Sequence, residues 1–266
     1  MQGFFEWFGH EPAMMRHTFR IAPSIGMKKE RSIWMSGVRD WDDFLSANSV
    51  CSVPEYRKKE CDLAISNAYE LLDDGDAAGL RDLLPKSEQW RLFGDFRDGA
   101  AYLDIETDGL ERDSLVTVVT VHKNDDTVTL IHGKDLDAGT ISDALKDVSM
   151  LVTFNGSCFD LPVLKESFPA LDLGMPHLDL RFASRRVGYR GGLKNLEIEV
   201  GISRDDGIKG VDGFEAVRLW NRWNKHGDMD SLKKLTEYNR ADTINLKQVA
   251  DVIYPKLVRE HAGYVW

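Results

Sequence analysis

The order of strand-like and helix-like segments after residue 100 is the feature that most constrains the fold of this chain. Three segments with alternating β-branched residues come first, and the turn Asn124-Asp125-Asp126 predicts an antiparallel hairpin between the second and third. Helices and strands then alternate. We predict strands at 100–107, 115–123, 127–133, 150–154 and 176–180, and helices at 141–148, 160–168, 215–225 and 231–254. Three meandering strands followed by this alternation predict an α/β fold, with a mixed sheet flanked by helices.

Residues 1–99 have a different character, and we expect a helical N-terminal region there, followed by an α/β domain at 100–266. A turn that contains Gly26 precedes two short predicted helices, at 28–38 and 41–45. This stretch resembles a helix-hairpin-helix element, which grips a phosphate backbone through glycine-turn amides, although it has one turn glycine only. The alternative is a small accessory domain with Trp34 and Trp41 in its core. The sequence leaves both interpretations open.

The composition is that of a globular protein without membrane segments. Of 266 residues, 42% are hydrophobic and 29% are charged. The apolar runs are too short to span a bilayer, and the first residues lack the basic and apolar segments of a secretory signal. Three cysteines form no CxxC pair, and an odd number fits a disulfide framework poorly. We therefore expect a cytoplasmic protein with reduced thiols and no membrane partner.

The net charge of −10 argues against nucleic-acid binding over the whole surface, because phosphate contacts need Lys and Arg. It does not exclude a nuclease. Carboxylates that hold metal ions add negative charge, and a local basic strip can still bind a polynucleotide backbone.

Two acids stand on one face of the first predicted strand. Successive side chains of a strand point to opposite faces, so Asp104 and Glu106 share one face while Leu103 and Ile105 share the other. Two neighbouring carboxylates repel each other, and both are costly to remove from water. A divalent cation removes that cost. The alternative is a strand face that is exposed to solvent.

A third acid interrupts the apolar stripe of the last predicted helix. The stripe has spacings of three and four and consists of Leu232, Leu235, Asp242, Leu246, Val249 and Ile253. Asp242 stands where the pattern asks for an apolar residue, and aspartate is seldom buried without a partner. Tyr238 lies four residues earlier on the same face of the helix.

A fourth acid follows the predicted strand at 150–154. The chain turns at Asn155-Gly156, and Asp160 opens the next helix. An aspartate at this point has an ordinary alternative role as an N-cap that satisfies free backbone amides. The neighbouring Phe159 has an ordinary alternative role in the core.

Together these segments supply four acids, and an oxygen-only ligand set suits Mg²⁺ or Mn²⁺ better than zinc. Two such ions, about 3.5–4 Å apart, stabilise the attacking and leaving oxygens of an in-line phosphoryl displacement. We predict that Asp104 bridges the ions, that Glu106 and Asp160 complete their shells, and that Asp242 binds the ion beside the nucleophile. The hydroxyl of Tyr238 can orient the attacking water as a hydrogen-bond partner.

These residues resemble the three exonuclease motifs of the DEDD superfamily, which includes polymerase proofreading domains. The first motif reads Asp104-Ile105-Glu106-Thr107, and Asp108-Gly109-Leu110 follows it. The second has Asn155, three intervening residues and then Phe159-Asp160. The third has Tyr238, three intervening residues and then Asp242, which marks the DEDDy branch. The other branch has His five residues before the last Asp, where this chain has Glu237.

The resemblance covers about residues 100–254. Asn155-Gly156 ahead of Phe159-Asp160-Leu161-Pro162, together with Gly192-Leu193-Lys194-Asn195-Leu196-Glu197, resembles the stand-alone predicted exonucleases of bacteria and archaea. It implies a ribonuclease H-like fold and release of nucleoside 5′-monophosphates from a 3′ end. The 3′–5′ polarity rests on the resemblance alone.

A basic strip is the candidate for holding substrate. It runs from Arg181 to Lys194 with no acid between them, and its five cations are Arg181, Arg185, Arg186, Arg190 and Lys194. A solvated basic helix and loop is the alternative. By the resemblance, Thr107 touches the 3′ end, Leu110 wedges against the terminal base, and Asn155 contacts the strand. Phe159, beside Asp160 in the second motif, is also a candidate contact.

The function that we expect is metal-dependent 3′–5′ hydrolysis of single-stranded DNA or frayed 3′ ends, with DNA favoured over RNA as the partner. A 3′–5′ exoribonuclease is an alternative, because the same site hydrolyses either polymer. A non-catalytic nucleic-acid-binding subunit is an alternative from a different class, and the complete set of acids argues against it. An unrelated phosphatase is a third alternative. The oligomeric state is not predicted.

Overall fold

The computed structural model describes residues 13–109, 111, 113–208 and 210–263. Within these residues, the sheet has five strands in the order β3-β2-β1-β4-β5. The strands are β1 (Ala100–Thr107), β2 (Val116–Lys123), β3 (Asp126–Ile131), β4 (Met150–Thr153) and β5 (His177–Asp179). The first three are antiparallel, whereas β4 is parallel to β1 and β5 is parallel to β4. The predicted mixed sheet is confirmed.

The hairpin between β2 and β3 forms at the predicted turn. Asn124 and Asp125 both have positive φ, at 51° and 63°, and Lys123 pairs with Asp126 across the ladder. Asn and Asp tolerate this left-handed conformation better than other non-glycine residues do. A two-residue turn of this kind matches the twist of the flanking strands.

Helices cover both faces of the sheet and make up most of the N-terminal part. They are α1 (Met27–Met35), α2 (Trp41–Ser46), α3 (Glu55–Asp73), α4 (Ala77–Leu83), α5 (Phe93–Phe96), α6 (Ala138–Ala144), α7 (Asp160–Ser167), α8 (Leu180–Arg186), α9 (Leu193–Val200), α10 (Gly213–His226) and α11 (Met229–Ala262). In the described chain, no helix is both long enough and apolar enough to cross a membrane.

Helices α6 and α11 differ most from their predicted bounds, and α6 ends at Ala144, four residues before the predicted end. Helix α6 starts three residues earlier, because the side chain of Asp137 accepts from the amide of Thr140, and the Thr140 hydroxyl accepts from the amide of Asp137. Helix α11 continues past Pro255, where the prediction ends. A proline disrupts a free helix. Here Leu257 and Val258 are buried in the core, and that packing offsets the cost.

The sheet separates two hydrophobic layers. Leu103 and Ile105 point into a cluster that includes Val163 and Leu164 of α7. The opposite face of β1 carries Asp104 and Glu106 and faces α11. Val118, the partner of Glu106 across the β1–β2 ladder, lies in a further cluster that contains Leu235 and Tyr238. The predicted alternation along β1 therefore directs both acids toward the helix that carries Asp242.

The N-terminal helices pack against the second half of α11. The ring centroids of Trp90 and Phe93 lie 6.2 and 5.3 Å from that of Tyr254. Trp34 and Trp41 are buried, and their indole N–H groups donate to backbone carbonyls. One hydrophobic cluster runs through both parts of the chain. The domain boundary after residue 99 and the helix-hairpin-helix interpretation stay predictions.

Candidate active site

The acids of β1 lie in a partly buried environment that disfavours their charge. Burial raises the pKa of Asp104 above its ordinary value, and the carboxylates of Asp160, Asp242 and Glu106 raise it further. The pKa of Glu106 is raised in the same way, first by burial and then by Asp242 and Asp160. Asn239 opposes this effect, since its Nδ2 donates to Asp104 Oδ2 over 2.7 Å.

Asp160 is the first residue of α7, and Phe159 occupies the N-cap position. The alternative reading of Asp160 as an N-cap is therefore wrong. Its carboxylate instead accepts from its own amide and from the backbone amide of Ile105 in β1. This contact brings Asp160 beside the acids of the strand. Burial raises the pKa of Asp160 to about 7.

Asp242 and Tyr238 are both buried on the face of α11 that meets the sheet. Burial raises the pKa of Asp242 to about 6, against the opposing effect of Arg204. Burial also raises the pKa of Tyr238, and the carboxylates of Asp242, Glu106 and Asp104 raise it further. The phenol therefore keeps its proton at neutral pH. It donates a hydrogen bond to Asp242 and is no general base.

All four acids and Tyr238 line one open pocket of about 530 Å³, which we call the acid pocket. Of the expected substrate contacts, Asn155, Phe159, Arg181 and Arg185 also line it. Asn155 has a positive φ of 70°, its amide donates to Asp179, and its side-chain oxygen accepts from Arg181. That bond orients Asn155 with an arginine of the basic strip.

The other expected substrate contacts lie outside the acid-pocket lining. Thr107 is buried, and its hydroxyl donates to the Gly109 carbonyl over 2.6 Å. The ammonium of Lys194 lies 5.0 Å from the ring centroid of Tyr238. Arg186 turns away from the acids and donates to the Ser87 carbonyl and to Glu88. Leu110 lies outside the described residues.

A model of the RNase_H superfamily matches residues 101–254, which is more than half of the chain. The match includes every strand of the sheet and every acid of the pocket. The chain belongs to the RNase_H superfamily. Most members of this superfamily are nucleases. The mixed sheet flanked by helices is accordingly an RNase H-like fold.

Among solved structures, the RNase H-like chain is similar to the family B DNA polymerase from the hyperthermophilic archaeon Pyrobaculum calidifontis. The two are 15% identical with a TM-score of 0.46, and the match covers 61% of this chain and 27% of the polymerase. The chain thus corresponds to about a quarter of the length of that polymerase. A comparison with curated proteins finds no match.

The sequence patterns do not identify two residues of the RNase H-like site, Arg204 and Asn239. Arg204 forms a bidentate pair with Glu197, at 2.5 and 2.9 Å, and its Nη1 lies 2.5 Å from Asp242 Oδ1. Asn239 holds Asp104. The helical pattern could have indicated Asn239 as a site residue, because it is a polar residue beside Tyr238 that falls close to the buried stripe of α11. No periodic pattern indicates Arg204, because it lies in the irregular segment after α9.

The donor set of the RNase H-like site fits a hard divalent cation. The four carboxylates offer oxygen ligands only, and burial together with their mutual repulsion raises the pKa values of Asp104 and Glu106, which a bound cation would oppose. In the described part of the chain, no three His, Cys, Asp or Glu side chains lie close enough together to form a preformed metal site. Asp242 contacts Arg204 instead.

Proposed function

We propose that this RNase H-like chain is a metal-dependent 3′–5′ exonuclease of the DEDDy type, which hydrolyses single-stranded DNA or frayed 3′ ends to nucleoside 5′-monophosphates. The observation that carries the proposal is the meeting of four acids from three separate segments in one open pocket. Buried acids without enough positive charge destabilise a fold. Their concentration at a pocket is therefore typical of a site that binds cations.

The cations that suit this pocket are Mg²⁺ or Mn²⁺, two ions held by Asp104, Glu106, Asp160 and Asp242. When bound, they supply charge stabilisation for the attacking and leaving oxygens of the phosphodiester. The residues of the chain do the rest. Asn239 fixes the Asp104 carboxylate by its hydrogen bond.

Tyr238 orients the attacking water. Its phenol keeps the proton at neutral pH, so it acts through hydrogen bonding and does not remove a proton from the water. Arg204 forms an ion pair with Asp242 and lies over the ring of Tyr238. Because the phenol donates its proton to Asp242, its oxygen accepts from the attacking water, which lies beside the Asp242 carboxylate.

Substrate selection rests on the rim of the pocket. Arg185 is exposed there, and Arg181 and Asn155 are joined by a hydrogen bond beside it. The 3′–5′ polarity and the preference for DNA rest on the motif resemblance. A 3′–5′ exoribonuclease is the competing assignment, because the acid pocket offers no residue that we can assign to a 2′-hydroxyl.

A labelled-strand assay tests the proposal. Single-stranded DNA and RNA, labelled at either end, are incubated with the protein in Mg²⁺, Mn²⁺ or EDTA. We expect shortening from the 3′ end of DNA with either metal, no shortening in EDTA, and none with Asp104→Asn. The exposed Asp143 of α6 offers a matched control, and Asp143→Asn should be fully active. Cleavage in EDTA, or full activity of Asp104→Asn, would overturn the mechanism.

A further inference from the structure

A second and larger concavity lies beside the acid pocket, between the N-terminal helices and the sheet. It has a volume of about 1450 Å³. One wall comes from the segment 81–90, and the other comes from α7, the segment 171–179 and α8. We call it the lateral groove and follow six of its lining residues: Arg81, Lys86, Lys165, Phe182, Arg185 and Arg186.

The lateral groove is continuous with the acid pocket. Arg185 lines both concavities, from the exposed face of α8. Asp179 lines the groove and accepts from the amide of Asn155, which lines the acid pocket. The two concavities are therefore adjacent, with Arg185 on both linings and one hydrogen bond joining Asp179 to Asn155. This adjacency suits a flexible chain whose end occupies the acid pocket and whose next residues lie in the groove.

The acids of the groove are occupied by their neighbours. Asp82 pairs with Arg81 at 2.7 Å, and Asp172 accepts from the amide of Gly174. The carboxylate of Asp179 accepts from the amides of Asn155, Ser157 and Arg181. Asp82 and Asp172 are exposed, but each has a partner within the protein, and the ion pair of Asp82 with Arg81 offsets its charge in the groove.

The cations of the groove are available by contrast. Lys86, Lys165 and Arg185 are exposed, and none of them forms an ion pair with a described acid. Arg186 is the exception, because its contacts with Ser87 and Glu88 make it part of the wall. In a chain with a net charge of −10, this local excess of free positive charge runs against the average of the surface.

An exposed aromatic ring accompanies the cations. Phe182 is 44% exposed and lines the groove one turn before Arg185 and Arg186. Single-stranded nucleic acids bind to surfaces that combine a positively charged groove with aromatic rings on which bases stack. An acidic peptide would use the cations but would have little use for an exposed ring at this position.

We propose that the lateral groove binds the single strand on the 5′ side of the nucleotide that enters the acid pocket. Lys86, Lys165 and Arg185 contact successive phosphates, and Phe182 stacks on a base. The inference rests on the proposed exonuclease function for the direction of the strand. It divides the basic strip into Arg185, which contacts substrate, and Arg186, which joins α8 to the N-terminal part.

Binding is measured by fluorescence anisotropy in EDTA, with a labelled tetranucleotide and a labelled oligothymidylate of about 15 nucleotides. The test variant is Lys86→Glu with Lys165→Glu. The control variant is Lys59→Glu with Lys225→Glu, which makes the same change of net charge at exposed lysines outside the groove lining. Phe182→Ala is a second test variant that leaves the charge unchanged.

We expect the wild-type protein to bind the longer strand at least about tenfold more tightly than the tetranucleotide. The groove variant should remove most of this preference and should reduce the slope of log K against log salt by about 1.4, for two lost phosphate contacts. Phe182→Ala should weaken binding of the longer strand by about tenfold with little change of the salt slope. The control variant should retain the preference.

The outcomes separate the two proposals. If the protein shortens DNA but the groove variant keeps the preference for the longer strand, the lateral groove is wrong and the exonuclease stands. If binding depends on the groove but no condition yields cleavage, the exonuclease is wrong and the groove stands. An equal loss in the control variant, or tighter binding of a duplex than of a single strand of equal length, also overturns the groove.

Discussion

Two buried clusters of charge in this molecule differ in whether their charges cancel. In the N-terminal part, Arg91 is 2% exposed, forms a bidentate pair with Glu30 at 2.8 and 2.9 Å, and donates to Glu88 at 2.8 Å. Glu88 also accepts from Arg186. Burial alone would raise the pKa of Glu88, but the two guanidinium groups outweigh it and the pKa is lowered.

The acid pocket has the opposite balance. Arg204 pairs with Asp242, whereas Arg181 and Arg185 line the pocket but, within the described chain, form no ion pair with its four acids. Burial raises the pKa values of Asp104 and Glu106, and the neighbouring carboxylates raise them further. In the first cluster the positive and negative charges balance, and its ion pairs connect α1, α8 and the segment that precedes α5. In the acid pocket the negative charges exceed the positive ones, and a bound cation can supply the missing positive charge.

The largest expected effect is the loss of the complete cluster. Arg91→Ala leaves Glu30 and Glu88 with less compensation inside the protein, and we expect it to reduce the free energy of unfolding by about 3–5 kcal/mol. Urea denaturation measures this change. Arg218→Ala, which removes an exposed pair with Glu215, should change stability by less than about 1 kcal/mol. Equal effects of the two substitutions would show that burial does not distinguish the pairs.

Tyr238→Phe separates hydrogen bonding from charge within the acid pocket. It removes one hydroxyl and no charge, so we expect turnover to fall by about a hundredfold or more while metal affinity stays nearly unchanged. Single-turnover kinetics and calorimetric metal titration measure the two quantities. Tyr56→Phe is the control, because Tyr56 is 82% exposed. A parallel loss of metal affinity would contradict the assigned role of Tyr238.

Glu106→Gln should change the free energy of unfolding in the direction opposite to Arg91→Ala. It removes a charge that burial disfavours and that Asp242 and Asp160 repel, so we expect the metal-free protein to become more stable by roughly 1–2 kcal/mol while activity is lost. Denaturation in EDTA measures the stability. The exposed Glu111 gives the control Glu111→Gln, which should change neither property. Destabilisation by Glu106→Gln would mean that the carboxylate is already compensated.

Asp95 belongs to neither cluster, and its substitution should have the smallest effect on stability. Its carboxylate accepts from the amide of Met15, and burial raises its pKa to about 6, above the 3.8 of an exposed aspartate. The folded state therefore holds this proton to higher pH than the unfolded state does. Its stabilising contribution is complete below about pH 4 and is lost as the pH rises through 6.

Asp95→Asn cannot ionise and should escape this loss. Between pH 4 and pH 7, we expect the variant to gain on the order of 1–2 kcal/mol relative to the wild-type protein. Thermal or urea denaturation across this pH range measures the difference. Asp98→Asn, at an exposed position three residues later, should follow the wild-type curve. A stability difference that does not change with pH would show that the ionisation of Asp95 does not affect stability.

Much of the fold follows from local patterns. The period of two along β1, the turn residues Asn124 and Asp125, and the helical period of α11 each act over a few residues, and the structure agrees with all three. The short helix α9 was not predicted, because its eight residues between Gly192 and Gly201 give a periodic pattern only about two turns long. The extension of α11 past Pro255 depends on packing against distant helices, which no local pattern records.

The candidate site divides in the same way. Periodicity alone places Asp104 and Glu106 on one strand face and Asp242 on a buried helix stripe, because each position depends on its near neighbours in the chain. The chain path decides the remaining contacts. It directs Arg204 to Asp242 and Arg186 to Glu88, across 38 and 98 residues of sequence, counted from the residue numbers. Ion pairs at such separations depend on how the elements pack, and that information is absent from any short stretch of sequence.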